Sequence, residues 1–136
     1  MQSPVLRVAR PTNDLLKLAD FYTRGLGFEV LARFENHEGF DGIVLGRREC
    51  PWHIEFTHQH GVMVERAPTA EHLLVLYLPE HHEWLAAVER IQALGVLPCE
   101  SENPYWDRLG KTFEDPDGYR IVLQNAAWGQ KSMRSE

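Results

Sequence analysis

The chain has 136 residues, of which 43% are hydrophobic, enough for the core of one ordinary domain or of two small modules. Its 14 Lys and Arg and 20 Asp and Glu give a formal net charge of -6 that is spread along the sequence, which argues against nucleic-acid binding. No apolar run reaches the roughly 18 residues of a membrane span, and no secretory signal opens the chain, so a cytoplasmic protein without membrane contact is predicted. Cys50 and Cys99 fit no metal or redox spacing and are expected to be reduced thiols.

The first half of the chain predicts the element order βαβββ. Alternation over 5–10 indicates a strand with Leu6 facing the core and Arg7 on the opposite face. Thr12 or Asn13 is in position to cap the helix that follows. The apolar stripe of this helix consists of Leu15, Leu18, Ala19, Tyr22 and Leu26. Three further strands are predicted at 28–35, 41–46 and 52–57.

The same order of elements returns in the second half. The segment 58–70 carries Gly61 and Pro68 and breaks the periodicity, so it is predicted to connect two modules, residues 4–58 and 71–125. The predicted elements of the second module are a strand at 72–78, a helix from Pro79 to Gly95, and strands at 96–100, 111–114 and 119–124. The tail from Ala126 to Glu136 is expected to fray, except where Trp128 can dock.

Two sequence phrases recur, which indicates an internal duplication. Residues 52–57 and 119–124 match in order as aromatic, basic, Ile, variable, apolar and polar. The pair Leu26–Gly27 returns as Leu94–Gly95, and the two offsets differ by a single position. The second copy of the longer phrase follows Asp115–Gly118, a sequence typical of a tight turn because Pro fixes φ and Gly tolerates a left-handed backbone.

The recurring strand separates two kinds of side chain. In 52–57, period-2 geometry puts Ile54 and Phe56 on one face and His53 and Glu55 on the other. The apolar pair is suited to a hydrophobic core, and the polar pair is suited to ligand binding or catalysis. The equivalent outward positions of the second copy are Arg120, Val122 and Gln124.

These features resemble the vicinal oxygen chelate superfamily, which includes glyoxalases, bleomycin and fosfomycin resistance proteins and extradiol dioxygenases. The resemblance rests on the paired modules, on Asp20–Tyr22 followed by Leu26–Phe28, and on the turn 114–118, and it covers positions 4–125. It implies an α+β fold in which two tandem βαβββ modules, with mixed sheets forming a cupped cleft, make a single domain over 1–136. It also implies a homodimer and a small molecule in the cleft.

In that superfamily a divalent metal such as Ni, Zn, Mn or Fe occupies the cleft. The positions of its ligands fall on Arg7, Glu55, His72 and Val122 of this chain. Glu55 and His72 match the ligand types, whereas Arg has no lone pair to offer and Val has no donor. The set of metal ligands is therefore incomplete. His53 is one neighbouring residue that could add a donor.

The resemblance also predicts an ion pair. The superfamily's strand order places the first and last strands of a module side by side, which would set Arg7 against Glu55 where a cation would otherwise lie. Arg7 and Arg120 would then hold an anionic or carbonyl-bearing ligand. The other candidate ligand-binding residues are Trp52, His53, Tyr105, Trp106 and Gln124.

Two functions remain open. One is small-molecule binding with a degenerate metal site. The alternative is a divalent-metal-dependent glyoxalase-like lyase or isomerase, or an extradiol dioxygenase, with Glu55 as the catalytic proton carrier. The ligand is not identified, since the loops 35–41 and 101–110 carry no recognisable motif.

Structural roles are the competing interpretations of the same residues. Glu55 could serve only as the partner of Arg7, and His72 could be a hydrogen-bonded strand residue. Tyr105 and Trp106 could form a lid or simply cover one sheet edge. The residues 58–60 resemble a metal patch but are more typical of a solvated loop.

Overall fold

The structure, a computed structural model, describes residues 3–129. The chain divides into two compact units between Glu65 and Arg66. The N-terminal unit contains β1 (Leu6–Pro11), α1 (Leu15–Asp20), a π-helical turn (Phe21–Gly25), β2 (Glu29–His37), β3 (Phe40–Gly46) and β4 (Trp52–Gln59). The C-terminal unit contains β5 (Leu73–Tyr77), α2 (His81–Gln92), α3 (Tyr105–Arg108), β6 (Gly110–Glu114) and β7 (Arg120–Gln124). None of the helices within this range is long and apolar enough to cross a membrane.

Both units contain a mixed sheet, which confirms the predicted α+β fold. The N-terminal sheet has the strand order β1-β4-β3-β2, with β1 and β4 parallel and the other pairs antiparallel. The C-terminal sheet has the order β5-β7-β6, with β5 and β7 parallel. Each unit thus places its first and last strands side by side.

The N-terminal core lies between α1 and one face of the sheet. Leu18 and Tyr22 are fully buried there, and the Tyr22 ring lies 5.1 Å from that of Phe56. Ile54 is buried on the same face of β4, as the alternation of the sequence predicted. Leu6 was predicted to face this core but is 61% exposed, because it lies at the start of the edge strand β1 while α1 packs against β3 and β4.

The start of α1 also differs from the prediction. Asp14 is the capping residue, and its Oδ1 accepts a hydrogen bond of 3.0 Å from the Lys17 N–H. Thr12 is buried, and its Oγ1 accepts from the Asp14 N–H instead. The Asn13 side chain pairs with the backbone of Val64, so neither predicted cap is available.

The C-terminal core lies between α2 and its sheet. Ala87, Val88 and Ile91 of α2 are buried, as are Ile121 and Leu123 of β7. The Trp84 Nε1–H, also on α2, donates a 2.8 Å hydrogen bond to the Leu123 carbonyl. This bond joins the helix directly to the central strand.

One predicted strand of the second module is absent from the described residues. The segment 96–100 makes only a single bridge, between Cys99 and Thr112. Pro98 has no backbone N–H to donate, so the segment cannot extend this bridge into a continuous ladder. The C-terminal sheet therefore has three strands where the N-terminal sheet has four.

The turn that precedes β7 has the predicted conformation. The buried Asp115 carboxylate accepts hydrogen bonds from the N–H groups of Asp117, at 2.8 Å, and Tyr119, at 3.1 Å. Gly118 has a φ of 86°, a left-handed value that glycine adopts without steric cost. The carboxylate and the glycine together set the reversal between β6 and β7.

The two predicted loops, 35–41 and 101–110, are shorter than expected. β2 continues to His37, so only Glu38 and Gly39 separate it from β3, and 35–41 is mostly a hairpin. Within 101–110, residues Tyr105–Arg108 form the short helix α3. The Trp128 ring lies 5.8 Å from that of Tyr77, and the remainder of the predicted tail, 130–136, lies outside the described residues.

Gly110→Ala is expected to destabilise the protein by about 1–3 kcal/mol, because the added Cβ would clash with neighbouring atoms, including backbone atoms that cannot move aside. It would meet the Gln124 Oε1 and lie 2.7 Å from the Trp106 carbonyl oxygen. Urea denaturation measures the change. Gly129→Ala is the control, since nothing lies within 4 Å of its added Cβ. Equal stability of the two variants would contradict the close packing at Gly110.

Asp41→Asn is expected to lower the melting temperature near neutral pH by at most a few degrees. The Asn36 N–H and the His60 ring, each hydrogen-bonded to its Oδ1, hold the pKa of the Asp41 carboxyl below the ordinary value of 3.8. Because the folded-state pKa is depressed, this stabilisation is present above about pH 4 and is lost as the pH falls through the folded-state pKa.

Thermal melts at a series of pH values, with Glu35→Gln as the exposed control, measure this dependence. A difference between wild type and Asp41→Asn that stayed constant down to strongly acid pH would rule out the ionic contribution.

Candidate functional site

Three polar side chains meet on the face of the N-terminal sheet opposite α1. The Arg7 Nε–H donates a 2.9 Å hydrogen bond to the His53 Nε2, and its Nη1–H donates a 3.4 Å bond to the Glu55 Oε2. The Arg7 side chain is 48% exposed, and that of Glu55 is 17% exposed. We call Arg7, His53 and Glu55 the Arg7 cluster.

Strand pairing brings the cluster together. In the parallel ladder, Arg7 aligns with His53 and Ala9 aligns with Glu55, so the three polar residues share one face. Gly46 of β3 aligns with His53 from the other side, and an added Cβ would lie 3.1 Å from the His53 Cβ. The predicted ion pair between Arg7 and Glu55 is present, with His53 as a further partner.

The hydrogen bond from Arg7 fixes the state of the His53 ring. Arginine only donates, so the His53 Nε2 must be an acceptor and the proton of the neutral ring is on Nδ1. The cluster therefore presents N–H donors from Arg7 and His53 beside one carboxylate, Glu55. Such a surface suits an oxygen-rich anion or a polarised carbonyl.

The residues present do not fit a divalent metal. A metal needs the lone pairs of its ligands, but the His53 Nε2 and the Glu55 Oε2 each accept a hydrogen bond from the Arg7 guanidinium, whose positive charge also repels a cation. Val122 contributes no donor. No group of three or more His, Cys, Asp and Glu within residues 3–129 is arranged to hold a metal.

His72 lies just before β5 and is exposed. The register aligns Leu73 with Arg120, so Leu73 rather than His72 shares the face of Arg120 and Val122. The His72 ring lies 6.0 Å from that of Tyr119 in an edge-to-face arrangement. The structure therefore places His72 beside Tyr119, and its role as a metal ligand stays a prediction.

Arg120 makes structural contacts within the C-terminal unit. Its Nε and Nη2 donate to the Glu114 Oε2 at 3.2 and 3.0 Å, and its Nη1 donates to the Glu100 carbonyl at 3.0 Å. The side chain is 12% exposed. Gln124, on the same face, is 2% exposed, and its Oε1 has no donor among the described residues. Their predicted ligand roles remain open; Gln124 is buried, whereas Arg120 keeps a small exposed fraction.

The aromatic candidates lie on different surfaces. The Tyr105 and Trp106 rings of α3 pack edge to face with centroids 4.9 Å apart, and α3 packs against the edge strand β6. This arrangement favours the interpretation that the pair covers a sheet edge. Trp52 lies on the core face of β4, where its ring is 5.5 Å from that of Phe28. Trp52 is therefore on the opposite face from the Arg7 cluster.

Tyr77 was not identified from the sequence because it occurs in an apolar strand. It aligns with Gln124 and shares its face. Burial, and to a lesser extent the nearby Tyr105, raise the pKa of the Tyr77 hydroxyl, which is therefore protonated at neutral pH. Burial likewise raises the pKa of the Cys99 thiol, so this free cysteine is not an activated nucleophile.

Comparison with known proteins places this chain in a family. Residues 6–57 match the model of the YycE-like N-terminal domain, and residues 71–125 match that of the YycE-like C-terminal domain. The chain is 39% identical over 125 residues to the uncharacterised protein YycE of Bacillus subtilis, covering 92% of this chain and 90% of that protein.

Solved structures agree in fold. The crystal structure of the Bacillus subtilis YycE protein, of unknown function and described as a candidate glyoxalase or fosfomycin resistance protein, has a TM-score of 0.85 over 91% of this chain and 90% of that chain, at 39% identity. A trypanothione-dependent glyoxalase I of Leishmania major has a TM-score of 0.71 at 22% identity, covering 98% and 91%. TnmS3, an antibiotic-binding protein from Streptomyces, has a TM-score of 0.61 at 23% identity, covering 91% and 95%. The chain belongs to the YycE-like family and has the fold of the vicinal oxygen chelate superfamily.

Proposed function

We propose that this protein binds a small anionic or carbonyl-bearing molecule at the Arg7 cluster, on a degenerate version of the superfamily's metal site. The observation that carries the proposal is the position of the Arg7 guanidinium, within hydrogen-bonding distance of both His53 and Glu55. A fixed positive charge takes the place of a cation and attracts oxygen atoms without needing ligands of its own.

The exposure of the cluster supports a binding role. In a purely structural ion pair, the charged groups would be bonded only to other residues of the protein. Here about half of the Arg7 side chain is exposed, and its guanidinium carries five N–H donors. Glu55 is less exposed and holds the guanidinium in place. A ligand carboxylate would add charge-assisted hydrogen bonds to a guanidinium that is already oriented.

The relatives' chemistry fits a binding function, since the shared fold includes the antibiotic-binding TnmS3 as well as glyoxalase I. Metal-dependent catalysis, with Glu55 as the proton carrier, is the less favoured alternative because the positive charge of Arg7 beside His53 and Glu55 would repel a metal cation. We also propose that the protein forms a homodimer and is located in the cytoplasm. Val5 and Leu6 are 64% and 61% exposed at the edge strand β1, a surface that a second copy could cover.

Arg7→Gln is expected to weaken binding of phenylpyruvate, a probe that carries a carboxylate beside a carbonyl, by about tenfold or more, since a charge-assisted contact is lost. Calorimetric titration measures the affinity. Arg47→Gln is the matched control, because Arg47 is similarly exposed, at 44%, outside the cluster. Phenylacetone, which lacks the carboxylate, should bind weakly to all three proteins. Unchanged phenylpyruvate affinity in Arg7→Gln would overturn the proposed site.

Arg7→His is expected to create affinity for Ni²⁺ that the wild-type protein lacks, since it replaces the guanidinium with an imidazole beside His53 and Glu55. Metal content after incubation with Ni²⁺ and gel filtration measures this gain. The double variant Arg7→His with Glu55→Gln should lose it. Stoichiometric Ni²⁺ in the wild-type protein would contradict a degenerate metal site and favour the metal-dependent alternative.

A further inference from the structure

A cavity of about 610 Å³ lies in the N-terminal unit between α1 and the sheet, on the face opposite the Arg7 cluster. Residues of α1 form one wall, and residues of β2 and β3 form the other. Its apolar lining includes Leu15, Ala19, Val30 and Ile43. Cavities of about 300–1,000 Å³ with an apolar lining and a few directed polar groups are typical small-molecule sites.

His58 supplies one directed polar group. It lines the cavity from β4, and its Nδ1 lies 3.1 Å from the Thr12 carbonyl oxygen. A carbonyl only accepts, so Nδ1 carries the proton and Nε2 of the neutral ring is an acceptor. His58 therefore offers a fixed lone pair to a donor on a ligand.

Arg33 supplies the second polar group. It is exposed, lines the cavity and forms no ion pair with another residue of 3–129. The acidic residues of the lining are Asp14, Asp20, Glu35 and Asp41. Three of them have local partners: Asp14 caps α1, Asp20 pairs with Arg24, and Asp41 accepts hydrogen bonds from Asn36 and His60. Arg33 is thus the lining cation with capacity for a ligand carboxylate.

The register sets the spacing between these two groups. Arg33 aligns with Ile43, and His58 aligns with Asp41, which lies two residues before Ile43 in β3. Two steps between strands and two residues along the strand separate the Cα atoms of Arg33 and His58 by about 12 Å. Ile43 lies between them. A ligand that reaches both groups must carry its polar ends on opposite sides of an apolar body.

We propose that this cavity is a second binding site, for an elongated amphipathic acid. The carboxylate of the ligand pairs with Arg33, and a hydroxyl at its far end donates to the His58 Nε2. An aromatic or aliphatic body between them packs on Ile43 and its apolar neighbours. This site is separate from the Arg7 cluster, and either proposal can fail without the other.

Titration with 3-(4-hydroxyphenyl)propanoate, followed by backbone amide chemical shifts, tests the site. Saturable shifts are expected in α1, β2 and β3. Arg33→Gln should weaken binding about tenfold, as expected when a charge-assisted pair is lost. His58→Asn should weaken it severalfold, because the Asn amide can still donate to the Thr12 carbonyl while the Nε2 acceptor is removed. Arg48→Gln, an exposed arginine outside the cavity, should have no effect.

Matched probes separate the two contacts. 3-Phenylpropanoate lacks the hydroxyl, so its affinity should depend on Arg33 and be unaffected by His58→Asn. The proposal is overturned by unsaturable binding at millimolar concentrations, by shifts confined to Arg7, His53 and their neighbours, or by unchanged affinity in both variants. Tighter binding of tyramine, the corresponding amine, would also overturn it, since the acidic side chains of the lining would then dominate recognition.

Discussion

The parallel pairing of β1 with β4 is the constraint on which the N-terminal unit depends. Its register aligns Arg7 with His53 and Ala9 with Glu55, so one face of the ladder holds the polar cluster. The other face of β4 carries Ile54 and Phe56, which are buried against α1. A shift of one residue would exchange the two faces, putting charges in the core and apolar groups in solvent. Stability and the candidate site are therefore set by the same register.

The second unit repeats the parallel pairing of first and last strands but lacks the polar cluster of the first unit. Leu73 and Arg120 occupy the aligned positions that Arg7 and His53 occupy in the first unit. Val122 stands where the first unit has Glu55. Arg120 consequently finds its carboxylate partner on β6, at Glu114, and is largely buried. The two units thus share the parallel pairing of their first and last strands, while the outward residues at the aligned positions differ.

Proteins of the wider superfamily likewise share a fold but differ in function. Proteins of this fold include a glyoxalase and an antibiotic-binding protein, so the fold alone does not decide between turnover and binding. In the function that we propose for this chain, the deciding group is the guanidinium of Arg7, which hydrogen-bonds to the His53 Nε2 and the Glu55 Oε2. The proposal thus rests on the residue chemistry of one cluster and not on the architecture.

Local patterns were sufficient to predict most of the elements. The alternation in β4, the helical spacing of Leu18 and Tyr22, and the turn at 115–118 depend on neighbouring residues only, and the structure shows them as predicted. The segment 96–100 failed as a strand because Pro98 limits it to one bridge. The choice of Asp14 as helix cap depended on Asn13 being engaged by Val64, a contact that sequence spacing does not reveal.

The sequence by itself determined the residue types of the candidate site and, through the family resemblance, the pairing of Arg7 with Glu55. Only the tertiary structure decided that His53 accepts from Arg7 and that the Trp52 ring packs against Phe28. It alone revealed the cavity lined by Arg33 and His58, because those residues are distant in the chain and come to line one cavity only when three strands align. Side-chain periodicity is encoded locally, whereas hydrogen-bond partners and the walls of a cavity depend on the relative placement of elements that are remote in sequence.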